Sequence, residues 1–439
     1  MKLDLQRFFK ACNPSKTLSL QHPQDRKYYV DCSTVRGGKI VEALGRTITL
    51  LAPDEPTCQL FTGHIGCGKS TELLRLQSYL GEAGFHTVYF ESSQDLDMAD
   101  LDVTDILLAI ARSISESLSQ QGIKLQPGYF ASLFNEIKDL IQTPIDLSAE
   151  AELSLGIAKI TARTRESPQL REQLRQHLEP RTQGILKAIN EEILGRAILE
   201  LRKLGKRGIV VIVDNLDRVD PRLTASGRSQ QEYLFIDRGA QLRSLNCHVV
   251  YTLPLALSFS NEFETMKNRL GGGIGPKVLP MVPVVDRQGR ESEAGMALMR
   301  QLVMARAFPQ LDAPERLALI AEVFDDPATL DRLCKISGGH VRNLLGLLYN
   351  CLQQDDPPVS RSALESVIKN YRDDLALAVD EQEWQLLAQV AKTQTVKGDH
   401  EYQILLRSLF VFEYRDEQGR WFSVNPALLE IGKLQEILV

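Results

Sequence analysis

No apolar run in this chain approaches the roughly 20 residues that a bilayer-spanning helix needs, and the N-terminus, MKLDLQRFFK, lacks the hydrophobic core of a signal peptide. A cytoplasmic protein with no membrane attachment is expected. Paired cysteines are missing as well. Cys12, Cys32, Cys58, Cys67, Cys247, Cys334 and Cys351 are scattered without a single C-x-x-C, which suits reduced thiols and argues against a disulfide frame or a zinc site. Nor is there a positive charge balance: 51 Lys and Arg against 57 Asp and Glu give −6, so the surface as a whole is not adapted to nucleic acid, though a local basic stripe stays open. Internal repeats, low-complexity tracts, metal-ligand clusters, nuclease carboxylate sets and Ser or Cys triads with useful spacing are all absent. The remainder is an ordinary mixture, 43% hydrophobic and 25% charged, spread over 439 residues and long enough for two or three domains.

Against that background one motif stands out. Gly63-His64-Ile65-Gly66-Cys67-Gly68-Lys69-Ser70 is a complete G-x-x-x-x-G-K-[ST] loop, with Thr71 following. Small residues let backbone N–H groups close around phosphates, the lysine neutralises the β and γ phosphates, and the serine hydroxyl reaches Mg²⁺. Its context fits. Thr57 to Thr62 reads as a buried strand, and Ser70 to Leu80 carries Leu73, Leu74, Leu76 and Leu80 at helical spacing before Gly81 and Gly84. ATP and Mg²⁺ are the implied ligands, with the helix N-terminus aimed at the anion. Cys67 inside the loop reads as a small tolerated residue.

Four more apolar, β-branched runs follow: His86 to Ser92, Gly208 to Asp214, Cys247 to Leu253 and Val278 to Val285. With the loop strand they make a five-stranded parallel α/β core, residues 57–290, bound at the strands' carboxyl ends. Between the second and third strands lie 115 residues where a crossover needs a few tens, so an insertion at about 94–207 is expected. Within it, Asp102 to Gln120 reads as a helix with Asp102 or Thr104 as cap, and Leu147 to Ile157 alternates as a strand or β-arm would. Glu166 to Lys203 reads as one or two polar helices. Arg163, Arg165, Arg171, Arg175 and Arg181 cluster there, either for phosphate contact or, interleaved with Glu166, Glu172 and Glu179, as a salt-bridged face. Residues 1–56 form an N-terminal segment, 291–354 a helical lid broken at Ser337-Gly338-Gly339, and Asp355 to Pro358 a linker. Residues 360–439 give three helices and a hairpin turning at Asp416 to Gly419, the order of a winged helix.

A phosphate loop also needs a carboxylate for the Mg²⁺ water shell and a group to orient the attacking water. The apolar run Ile209 to Val213 ends abruptly in Asp214, an acid too costly to bury without a cation or donor. Asn215 follows where related ATPases often place a glutamate. Asp217 is therefore the candidate base, or else caps the next turn or pairs with Arg218.

GHIGCGKST, VIVDNLDR and SGGHVRNLL together resemble the AAA+ and STAND class of P-loop ATPases, and Asp214-Asn215-Leu216-Asp217-Arg218 is similar to the acidic motif of STAND and KAP-type NTPases. The lid and the C-terminal element order resemble those of archaeal STAND ATPases and origin-recognition initiators. The resemblance implies a polar sensor at Thr252, a lid arginine at Arg342, an adenine-side segment at Tyr28 to Gly37, and Arg269 as the nearest match to an arginine finger. The long insertion and missing glutamate depart from standard AAA+ proteins and argue against motor-like turnover. The implied function is an ATP-dependent switch that acts on protein partners or self-oligomerises. A DNA-binding initiator is the alternative, against which residues 360–439 hold nine Lys or Arg to thirteen Asp or Glu, and a small-molecule kinase fits poorly.

Overall fold

The computed structural model describes residues 2–125, 128–141, 153–224 and 227–439. They divide into two compact units, one made of residues 41–62 and 76–277, the other of 1–40, 63–75 and 278–439. Five strands, β1 (Cys58–Gly63), β2 (His86–Glu91), β3 (Ile209–Asp214), β4 (His248–Leu253) and β5 (Lys277–Leu279), form one sheet in the order β2-β3-β4-β1-β5. The pairs β2–β3, β3–β4 and β4–β1 are parallel. All six residues of β3 and of β4 are buried, which is why their sequences run continuously apolar instead of alternating. At about 1.5–3 kcal/mol for each buried Val or Ile, β3 is a major contributor to its unit and holds Asp214 rigidly at its end.

The insertion is helical. Residues Val103–Ser119 form a helix whose first turn is closed by a capping box between Asp102 and Asp105, and Ile106, Leu107, Ile110, Ile114 and Leu118 are fully buried along it. Where the described residues cover the expected β-arm they are helical, Leu153–Glu166, and residues 147–152 of that reading lie outside the described residues. Leu153, Ile157 and Ile160 are buried at spacings of four and three, so a helical stripe was mistaken for alternation over a short window, and Leu155 between them is exposed. A Cβ on Gly156 would lie 2.6 Å from the Phe134 ring, so the glycine permits close approach of the Gly128–Ile141 helix. The polar helices expected for Glu166 to Lys203 are consecutive helical segments that bury Leu174, Leu178, Ile185, Ile189, Ile193 and Leu201. Their arginines meet acids: Arg171 with Asp97 at 2.6 Å, Arg175 with Asp100 at 2.6 Å and Arg181 with Glu136 at 3.0 Å.

In the other unit β5 is shorter than expected. It stops at Leu279 because Pro280 has no N–H to donate, and beyond it the Met281 N–H pairs with the Glu413 carbonyl instead of continuing the strand. Helices Glu293–Ala307, Pro327–Ile336, Val341–Gln354 and Arg361–Leu377 share a single core that includes Met299, Val303, Leu330, Leu344, Leu348, Leu364 and Ile368. The N-terminal helix Leu5–Ala11 joins this core through Phe8. Helices Glu381–Thr393 and His400–Arg407 then precede an antiparallel hairpin, β6 (Val411–Asp416) and β7 (Gly419–Val424). Two short helices, Pro426–Leu429 and Gly432–Leu438, close the chain. All seven cysteines are free thiols, and no described helix is long and apolar enough to cross a membrane.

Candidate nucleotide-binding site

The glycine loop belongs to the unit that contains the C-terminal elements. It leads from β1 into the helix Lys69–Glu82, the strand, loop and helix order that the motif demands. Gly66 and Gly68 adopt φ of 88° and 106°, conformations that are strained for any other residue. At Gly66 a Cβ would also lie 2.8 Å from the His340 ring and 2.9 Å from Arg342 Cβ.

Every carbonyl from Gly63 to Cys67 has a protein donor. The Lys69 ammonium donates to Gly63 O and His64 O, each at 2.8 Å. His340 Nε2 meets Ile65 O at 2.8 Å, the Arg342 N–H donates to Gly66 O at 3.2 Å, and Arg36 Nη2 donates to Cys67 O at 2.9 Å. In a trans peptide the N–H points opposite to the C=O, so fixing these carbonyls against protein donors turns the following amides the other way. A loop of oriented amides at a helix N-terminus is an anion cradle, and the residues present fit a polyphosphate. A phosphate would compete with the two carbonyls for Lys69. Ser70 and Thr71, both half-buried, follow in the first turn of that helix.

The hairpin reaches the same loop. The Glu413 N–H donates to His64 Nε2 at 2.9 Å, and the Phe412 ring stacks on His340 at 5.7 Å while meeting His64 edge-on at 5.9 Å. His64 accepts through Nε2, so its proton sits on Nδ1, which the Leu406 carbonyl favours although no hydrogen bond closes there. Burial, then the neighbouring His340 and Lys69, push the His64 pKa down to about 3, and burial brings His340 down to about 4. Glu413 is driven the other way, up to about 7, because burial outweighs Arg420, even though that guanidinium is only 2.8 Å away. Neither Arg36, which lies within the segment Tyr28 to Gly37, nor His340 is marked by the sequence as a contact of the loop. The one available signal was a histidine as helix cap, His340 accepting from the Asn343 N–H, in the quoted run SGGHVRNLL.

The acidic set belongs to the other unit. Asp214 ends β3 fully buried, its Oδ2 accepting from the Tyr89 hydroxyl at 2.8 Å and its Oδ1 from the Asn215 N–H at 2.7 Å. Asn215 is left-handed, φ 65°, which turns the chain into the 3₁₀ segment Leu216–Arg218 holding the buried Asp217. Thr252 is completely buried, and its hydroxyl accepts from the Leu216 N–H at 2.9 Å while donating to Val213 O at 3.3 Å. It thereby fixes the acidic turn. Arg269 ends the helix Phe263–Arg269 with Asp237 3.9 Å away. Among the described residues no group of three or more His, Cys, Asp or Glu is arranged to hold a metal on its own.

No protein-family model and no curated protein sequence matches the chain. Among solved structures it is similar to the Walker-type ATPase of Pyrococcus abyssi, at 13% identity and a TM-score of 0.40, covering 94% of this chain and 99% of that one. It is similar to the Aeropyrum pernix ORC2 protein, solved in ADPNP–ADP complexes, at 13% identity and 0.36, over 91% and 92% of the two chains. Cdc6p from Pyrobaculum aerophilum gives 12% identity and 0.38, over 94% and 97%. Identity at this level assigns no residue role, and the P-loop α/β fold stands on the strand order and the glycine loop themselves.

Proposed function

We propose that the chain is a switch of the AAA+ and STAND kind, which binds Mg·ATP, hydrolyses it slowly and uses nucleotide state to control partner binding or self-assembly. One observation carries this reading: the glycine loop is held by the start of the Val341–Gln354 helix at Ile65 and Gly66 and by the hairpin at His64. Phosphates entering a loop so gripped must be felt by both elements, which is what a switch requires.

In this mechanism the amides of residues 63–71 and the Lys69 ammonium bind the polyphosphate. Ser70 and Asp214 are the proposed Mg²⁺-associated residues, and the cation would supply charge neutralisation on the phosphates. Tyr89 and the Asn215 N–H hold the Asp214 carboxylate in one orientation. Thr252 keeps the acidic turn in register, and Arg342, at the loop's own edge, is the proposed reporter of phosphate charge to the lid. Titration calorimetry with Mg·ATP tests the reading. The wild type should bind, and Lys69→Ala should weaken binding at least ~10-fold, since a charge-assisted contact is lost. Equal binding by both, or none by the wild type, would sink it.

A further inference from the structure

We infer that the cavity between the N-terminal helix and Tyr28 is a binding site for a small phosphorylated molecule, separate from the glycine loop and independent of the ATP reading. The first forty residues carry eight Lys or Arg against three Asp, a net of +5 in a chain whose total is −6. Part of that charge converges on one place. A cavity of about 400 Å³, within the range of small-molecule sites, is lined by Arg7, Lys10 and Lys16, with Asp4, Ala11 and Tyr28 also in its wall.

The helix Leu5–Ala11 brings the cations together. Phe8 turns one face of it into the core, while Asp4, Arg7, Lys10 and Ala11, spaced by three and four, share the side that lines the cavity. Asp4 is already engaged, its Oδ1 accepting from the Arg7 N–H as the helix cap. Arg7 is anchored through one nitrogen: Nη2 donates to the Ala307 carbonyl at 3.3 Å, at the end of the Glu293–Ala307 helix, while Nε is shut off from solvent with no hydrogen-bond partner. A buried donor left unmade is costly, and an anionic oxygen is the acceptor it lacks. Lys16 sits over the Tyr28 ring, 5.4 Å from its centroid, and donates to Asp25 Oδ1 at 2.9 Å, which leaves two ammonium protons to give. Lys10, exposed in the last turn of the helix, makes no ion pair with a described residue.

The far side of the wall is positive as well. Arg306 Nη1 donates to the Tyr28 carbonyl at 2.8 Å and to Leu302 O at 3.2 Å, and this buried guanidinium has no carboxylate among its hydrogen-bond partners. Asp4 and Asp25 against Arg7, Lys10, Lys16 and Arg306 leave a net of +2. A phosphate monoester, with a charge of about −1.5 to −2 at neutral pH and three strong acceptor oxygens, neutralises that charge. A free phosphate would fill only a fraction of the cavity, and Ala11 and the Tyr28 ring offer apolar contact to an organic group attached to it.

The test is titration calorimetry on the full chain with ribose 5-phosphate, inorganic phosphate and ribose as probes. Wild type should bind ribose 5-phosphate, bind inorganic phosphate at least ~10-fold more weakly, and leave ribose unbound. Lys69→Ala removes the ammonium of the glycine loop and should bind ribose 5-phosphate as wild type does. Lys10→Glu and Arg7→Gln should each weaken it at least ~10-fold, the scale of a charge-assisted hydrogen bond. Lys10→Glu alters an exposed side chain with no partner to lose, so it decides the matter even where Arg7→Gln disturbs the helix. No binding by wild type at millimolar probe overturns the inference. Binding lost in Lys69→Ala but kept in Lys10→Glu also overturns it, since the anion would then sit in the glycine loop. Equal affinity for phosphate and ribose 5-phosphate, or an oligonucleotide bound far more tightly through the same two residues, would make this a charged surface and not a small-molecule site.

Discussion

His64 holds the hairpin only while it is neutral, because protonation of Nε2 removes the acceptor that the Glu413 N–H uses. The pH dependence of stability follows by sign. His64 and His340 have folded pKa values, about 3 and about 4, below the ordinary 6.5, so the unfolded chain binds more protons and stability is lost as pH falls below 6.5. Glu413 acts in the opposite sense. Its folded value of about 7 exceeds the ordinary 4.5, so it contributes stability that is complete below 4.5 and lost as pH rises through 7. Between pH 7 and pH 5 the two histidines together cost about 4 kcal/mol and Glu413 returns about 2. Urea unfolding should therefore show a net loss of roughly 2 kcal/mol for wild type and a steeper one, by about another 2, for Glu413→Gln. Parallel pH curves for the two proteins would show that Glu413 is ionised in the fold. At this scale the loop was fully legible, since its eight residues are consecutive and their pattern is chemistry in itself. Glu413 and Arg36 were not: the first meets its partner His64 349 positions away in sequence, and nothing local marks either as special.

Helices of the insertion were legible where caps and periodicity agreed. The Val103–Ser119 helix combined both, and its cap should be measurable: Asp102→Ala removes the side-chain acceptor of the capping box and should lower the stability of its unit by about 1–2 kcal/mol in urea. Asp102 is also 3.7 Å from Arg175, so Asp102→Asn, which keeps the cap acceptor but not the charge, separates the two contributions. If Asn loses as much as Ala, the ion pair rather than the cap stabilises the helix start. The elements misread from sequence failed for nameable reasons. In the described part of the alternation over Leu147 to Ile157, residues 153–157, Leu153 and Ile157 lie on a buried helical stripe with a spacing of four, and Leu155, exposed on the helix, is the position that makes the run look alternating. Val278 to Val285 looked like a full strand because its hydrophobicity is real; Val282 and Val284 are buried, but in the core of the C-terminal helices and not in a longer β5.

For the molecule as a whole, charge and core organisation make separate forecasts. The hairpin arginine Arg420 is paired with Glu413, Arg287 with Asp416, and residues 360–439 remain net acidic, so duplex DNA should not be shifted by the full chain at physiological salt. A salt-dependent shift would favour the initiator alternative over the switch. The second forecast concerns the turn Asp355 to Pro358, which reads as a linker in sequence yet connects helices whose buried residues form one core. Val359, Leu364, Val367, Ile368 and Ala427 pack in the same cluster as Leu330, Leu344 and Leu348. Removing residues 360–439 would strip four of these from the cluster; Leu364, Val367 and Ile368 alone, at about 1.5–3 kcal/mol each, amount to a large part of the 5–15 kcal/mol that a domain has available. It would also expose the apolar face of the Val341–Gln354 helix. A chain ending at residue 359 should therefore lose cooperative melting of this unit and become protease-sensitive around residues 327–354, as followed by circular dichroism and limited proteolysis. Cooperative melting within a few degrees of the full chain would mean that the helices fold without residues 360–439, and the C-terminal elements could then move as a separate body on nucleotide binding.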